Sequence, residues 1–102
     1  MDDLRRIEEV RQIAKSKGIH DEIYLSTRKG KRFVIHKVGG MKIHFGQYPL
    51  KQGAFIDHKD EKLRQDWRAR NKDKKISIGS TVKARLYPYS ALHYDWELLW
   101  WN

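Results

Sequence analysis

Residues 22–46, EIYLSTRKGKRFVIHKVGGMKIHFG, decide the fold class. The stretch is rich in β-branched and aromatic residues and is broken by two turn signals, Arg28-Lys29-Gly30-Lys31 and Gly39-Gly40. Paired glycines supply the positive φ values of a tight hairpin turn. The pattern predicts strands near 22–27, 31–38 and 41–45 in an antiparallel meander. Alternation sets Phe33, Ile35 and Lys37 on one face and Val34, His36 and Val38 on the other.

Upstream, Leu4, Ile7, Val10 and Ala14 recur at helical spacing, with Asp2 or Asp3 as N-cap and Gly18 as the residue past the C-cap, predicting a helix over 3–17. Downstream, residues 46–57 read as a loop anchored by Phe55 and Ile56. A basic helix over 57–72 follows, with Asp57 as N-cap, Asp60 at the third helical position, and Leu63 and Trp67 as its inward stripe. After the polar break at 71–75, ISIGSTVKARLY predicts one more strand with a bend at Gly79. Ser90 caps a short terminal helix in which Leu92, Trp96, Leu99 and Trp100 share a face, leaving Tyr94 and Trp101 pointing elsewhere as candidate interface aromatics. The sum is a single α+β domain over 1–102. A small antiparallel sheet of three to four strands is packed by an N-terminal helix, a central basic helix and a short C-terminal aromatic helix, with Trp67, Trp96 and Trp100 in the core.

Charge is concentrated in the folded middle. The net charge of +9 divides into −1 over residues 1–24, +12 over 25–88 and −2 over 89–102. That distribution predicts a surface patch rather than a detachable tail, although a lysine-rich surface also serves solubility. The chain has no cysteine, so a disulfide framework and thiolate metal sites are excluded. No apolar run is long enough to span a membrane, and the N-terminal residues carry no secretory pattern, so no membrane partner is expected.

Catalytic patterns are thin. His20, His36, His44, His58 and His93 form no H-x-x-x-H or H-E-x-x-H spacing. His36 and His44, brought together across the Gly39-Gly40 turn, read as a cross-strand polar contact rather than a ligand pair. Asp57, His58, Asp60 and Arg64 could form an acid–base cluster, but capping and the helix dipole account for the carboxylates. No phosphate-binding glycine loop is present. No catalytic residue, cofactor or metal is therefore assigned. The candidate anion- or partner-binding residues are Arg28, Lys29, Lys31 and Arg32 at one turn, with Lys62, Arg64, Arg68, Arg70, Lys72, Lys74 and Lys75 along and beyond the basic helix. An acidic protein surface would satisfy the same charges.

STRKGKRF at 26–33, KIHFG at 42–46, DHKDEKLRQDWRARN at 57–71 and WELLWWN at 96–102 together resemble a family of short, uncharacterised basic proteins of large double-stranded DNA viruses and some tailed phages. The resemblance runs from about residue 25 to the end and departs from the pattern where a longer tail would follow the terminal tryptophan. It supplies no active site and implies a viral setting. The expectation is then a non-enzymatic, virion-associated structural protein of minor capsid or cement type. It would be part of a larger assembly, found in the virion and in host cytoplasm or nucleus during assembly, and would contact other capsid proteins or packaged nucleic acid. The alternatives are a free nucleic-acid-binding accessory protein and, last, a metal-dependent nuclease.

Overall fold

The first helix, α1 (Asp3–Ser16), buries Ile7, Val10 and Ala14 on one stripe and leaves its charged face in solvent. The architecture comes from a computed structural model, which describes residues 3–47 and 53–101. Asp2, one of the two cap candidates, lies outside the described residues. Helix α1 ends as the sequence predicts: the Gly18 amide donates to the Lys15 carbonyl at 3.1 Å and the Ile19 amide to Ala14 at 2.9 Å. This double bond pattern is the Schellman closure, which satisfies the last helical carbonyls.

The sheet follows as β1 (Glu22–Leu25), β2 (Lys31–His36) and β3 (Lys42–Gln47), antiparallel in the order β1-β2-β3. Gly39 and Gly40 adopt φ of +91° and +88°, conformations an L side chain resists. The turn is clamped by the Lys37 amide donating to Met41 at 2.7 Å. Ile23, Phe33, Ile35, Ile43 and Phe45 are buried against α1 and the C-terminal segment.

The predicted basic helix is two helices. Helix α2 (Phe55–His58) is a single turn that buries Phe55 and Ile56 and ends at Lys59, whose φ of +56° is left-handed. Helix α3 (Glu61–Asn71) is then capped by Asp60, whose carboxylate accepts from the amides of Lys62 at 2.9 Å and Leu63 at 3.2 Å. Asp60, not Asp57, is the cap, because Asp57 is already committed elsewhere.

The fourth strand does not form. Residues 75–83 close on themselves: Lys75 bridges Lys83, the Ile76 amide donates to Val82 at 3.1 Å and the Ala84 amide to Lys74 at 2.8 Å. The alternation in ISIGSTV reflects this local pairing. Ile76, Ile78 and Val82 stay exposed instead of meeting the sheet. A 3₁₀ turn (Ala84–Leu86) leads on to α4 (Ala91–Tyr94), where the Ser90 hydroxyl accepts from the Leu92 amide at 3.2 Å. The helix continues as a π-turn (Asp95–Leu99) closed by the Trp100 amide donating to Asp95 at 2.9 Å.

That segment has two apolar faces. Tyr94, Leu98 and Leu99 enter the core beneath the sheet, with the Tyr94 ring 5.7 Å from Phe45. Trp96 and Trp100 turn to α3, where Trp67 lies 5.9 Å from Trp96 and stacks on Trp100 at 4.9 Å and 2°. Trp67 thus packs on the C-terminal aromatics and stays partly buried, while Trp96 and Trp100 are buried.

Candidate anion-binding surface

Arg32, expected at the surface with the other basic residues of its turn, is 1% exposed. Its guanidinium makes a bidentate pair with Asp57 at 2.7 and 2.9 Å and donates to Asp3 at 2.8 Å, joining β2, α2 and α1. Burial would lower the Arg32 pKa, yet the two carboxylates raise it. Burial would likewise raise Asp57, but Arg32, the Ala54 amide and Arg6 hold it below the usual carboxylate range. The pair is a fold clasp, and the Arg32 side chain has no exposed surface to offer an outside anion.

Arg64 and Arg68 are also turned inward. Arg64 donates to the Trp101 carbonyl at 2.9 Å, covers the Phe55 ring at 4.5 Å and pairs with Glu61. Arg68 donates to the Trp100 carbonyl at 2.8 Å and sits 4.0 Å from the Trp96 ring, and burial lowers its pKa. The two arginines, one turn apart on α3, tether the C-terminal backbone through its carbonyls, Arg64 lying over Phe55 of α2 and Arg68 over Trp96 of the C-terminal segment. Lys62 is exposed and pairs with Asp66 at 2.9 Å.

The other basic candidates are free. Arg70, Lys72, Lys74 and Lys75 are exposed at the end of α3 and in the turn beyond it, and none has an ion-pair partner among the described residues. Arg28 and Lys29 are exposed in the β1–β2 turn and Lys31 is partly exposed, again without an ion-pair partner.

Among the described residues Arg70 and Lys74 of the first group line a cleft of about 440 Å³ together with Trp67 and Asn71, and Arg32, Gly46 and Gln47 line it from the sheet. Lys31 pairs with Gln47 across the ladder, so it stands at the same rim. Asp95 lines the cleft and accepts from the Gly46 amide at 2.7 Å. Burial pushes its carboxyl up to about 6, and the Gly46 hydrogen bond with the fields of Lys31 and Arg32 only partly offsets this. Gly46 itself has φ +81°, and a Cβ there would lie 3.0 Å from the Arg32 Cβ and 3.1 Å from Leu99. Only glycine brings β3 this close to both.

Tyr94 is not an interface aromatic. It is 1% exposed, its hydroxyl donates to the Pro88 carbonyl at 2.6 Å and accepts from Lys37 at 2.8 Å. Trp101 is partly exposed and folds back on its own domain, edge-on to Phe55 at 5.0 Å with the Lys59 ammonium 5.0 Å from its ring. His36 and His44 are not opposite each other: His36 faces Lys42 and lies tilted against Tyr24 at 4.8 Å and 53°, while His44 faces Val34 and bonds Ser26 at 2.7 Å. Asp57, His58, Asp60 and Arg64 are committed to separate contacts: Arg32, the Asp60 amide and Trp100, the α3 cap, and Trp101. Among the described residues no group of His, Asp and Glu could hold a metal, and no helix is long and apolar enough to cross a membrane.

The site residues that sequence reasoning missed are Gly46 and Asp95. The glycine in HFG was visible, but its partner 49 positions away was not, because the contact depends on how the C-terminal segment docks.

Over residues 22–71, just under half of the chain, the sequence is similar to a family of unknown function (DUF5754). The matched region runs from β1 through α3 and so holds the sheet, the Arg32–Asp57 clasp and the inward arginines. No curated protein matches, and no solved structure matches.

Proposed function

We propose that the chain is a non-enzymatic, virion-associated structural protein that holds packaged nucleic acid through the cations around the cleft. The observation that carries the reading is the set Arg70 and Lys74 in the cleft lining with Lys72 and Lys75 exposed beside them, none in a contact ion pair among the described residues, and Lys31 next to the lining residue Gln47. Asp73 near Lys72 and Lys75 and Asp95 near Lys31 offset the cluster only in part, and the positive charge that remains is complemented from outside the chain. The composition of the set favours a nucleic acid over an acidic protein. The arginines are largely spent inside the fold and mostly lysines remain, whereas protein interfaces are enriched in arginine and depleted of lysine. The viral setting rests on the sequence resemblance.

Binding of a labelled DNA duplex tests the reading. With four to six phosphate contacts, affinity falls by roughly 10² to 10³ between about 50 and 200 mM salt. The triple variant Arg70→Glu, Lys74→Glu, Lys75→Glu binds more weakly and with a shallower salt slope. Salt-insensitive binding, or none at low salt, moves the partner to an acidic capsid surface. Mass spectrometry of purified particles tests the setting: a stoichiometric copy number supports it and absence removes it.

A further inference from the structure

Beside these cations the closed loop 75–83 ends in an aliphatic side chain with no partner among the described residues. Ile78 is fully exposed at 106% of its reference area, and Ile76 and Val82 behind it are 40% and 42% exposed. The tip is ordered by its own bonds: the Ser80 amide donates to Ser77 at 3.2 Å, and the Lys75–Lys83 bridge closes the base. It stands clear of the body, since no atom lies within 4 Å of where a Cβ on Gly79 would sit. Lys74 and Lys75 stand at the base with Lys72 two residues before them, all exposed, and Lys83 pairs with Asp73 at 3.3 Å.

Resting on the nucleic-acid reading above, we infer that this loop is a wedge: Ile78 enters a base step of duplex DNA while the lysines at its base hold the flanking phosphates. An apolar tip in a collar of positive charge complements two anionic partners, a duplex and an acidic bilayer. The size of the tip decides between them. A single myristoyl chain gives only marginal membrane binding, and an isoleucine side chain is far shorter. One isoleucine, leucine, methionine or phenylalanine is, in contrast, what architectural proteins insert to unstack a step and bend the duplex. A stiff hairpin loop presents such a side chain without ordering it first, and steps that unstack readily, pyrimidine followed by purine, are where it enters.

The experiment uses the full chain and a duplex carrying 2-aminopurine at a central TA step, with dyes at the two ends. Wild type raises 2-aminopurine fluorescence and brings the ends together, as expected for a bend of about 20–90°. Ile78 is exposed, so Ile78→Ala folds normally. It retains affinity within about threefold and an unchanged salt slope, because phosphate contacts dominate binding, while the fluorescence rise and the bend are lost. Ile78→Phe keeps both signals. Ile78→Lys binds more tightly at low salt and gives neither. Salt-dependent binding without a fluorescence rise in wild type, or with Ile78→Ala equal to wild type, overturns the wedge and leaves the nucleic-acid reading standing. Failure of wild type to bind the duplex, together with sedimentation on phosphatidylserine-containing vesicles that Ile78→Ala abolishes, overturns both.

Discussion

Replacing Asp95 with asparagine is expected to stabilise the protein at neutral pH and to have little effect at about pH 4. The carboxyl stands at the cleft with the Gly46 amide on one oxygen, and burial pushes it up to about 6 from 3.8. An acid whose folded pKa lies above its unfolded value is charged at a cost in the folded state. The cost is complete above the folded pKa, shrinks as pH falls through it and is gone below the unfolded pKa. At about 1.36 kcal/mol per unit the penalty at pH 7.5 is about 2–3 kcal/mol. The amide of Asp95→Asn keeps an acceptor oxygen for Gly46 and removes the charge, so up to that amount is recovered, a gain in Tm of about 10–20 °C for a domain of this size. The assay is urea unfolding of both proteins near pH 7.5 and near pH 4, followed by tryptophan fluorescence. Other titrating groups cancel in the difference. A variant equally stabilised at both pH values, or destabilised near pH 7.5, refutes the assignment of the penalty to a buried carboxylate.

The clasp makes the opposite demand. Asp57→Asn removes a carboxylate bonded twice to a guanidinium with no exposed surface and is expected to cost about 3–5 kcal/mol. Arg32→Met also destabilises, since it takes the guanidinium from both Asp3 and Asp57 although Asp57 keeps the Ala54 amide and Arg6; thermal melts that leave either variant as stable as wild type refute the clasp. Since the Asp57 pKa is depressed, its contribution is present above the ordinary carboxylate pKa and is lost as pH falls through the lowered one, so an acid titration of wild type runs down on that limb and Asp57→Asn flattens it. Trp101→Ala loses a ring held edge-on to Phe55 and under Lys59 and is expected to cost about 1–2 kcal/mol. An unchanged melt would return Trp101 to the partner surface that the sequence suggests.

The elements legible in the sequence are those specified by neighbours. The 3.6-residue stripe of α1, its Schellman closure at Gly18, the Gly39-Gly40 hairpin and the Ser90 cap are settled within a few residues, and each forms where the pattern places it except at Leu4, the first residue of the stripe, which is 75% exposed. The strands stop a residue or two from the predicted ends because pairing, not propensity, sets their length. Misreadings occur where one pattern serves two structures. Alternation in ISIGSTV fits a strand and equally a loop that pairs with itself, and only the absence of a free neighbour separates them. A single stripe on the C-terminal helix assumes one buried side, but this segment is covered on two, so Tyr94 goes inward with Leu98 while Trp96 and Trp100 meet α3.

The same limit governs the arginines. In a sequence Arg32, Arg64, Arg68 and Arg70 are equal positive charges, and composition counts them together. In the fold three of them have found carboxylates, carbonyls or aromatic faces in distant parts of the chain, and Arg70 alone of the four is left free. An arginine is well suited to such internal duty, because its planar fork bonds in two directions while its face stacks on a ring; a lysine, a point charge on a flexible stem, is not. The useful quantity for a basic surface is therefore the charge left after internal partners are subtracted. Here that remainder includes Arg28, Lys29 and Lys31 in and beside the β1–β2 turn and Arg70, Lys72, Lys74 and Lys75 at the end of α3, of which Arg70 and Lys74 line the cleft, rather than the exposed face of α3.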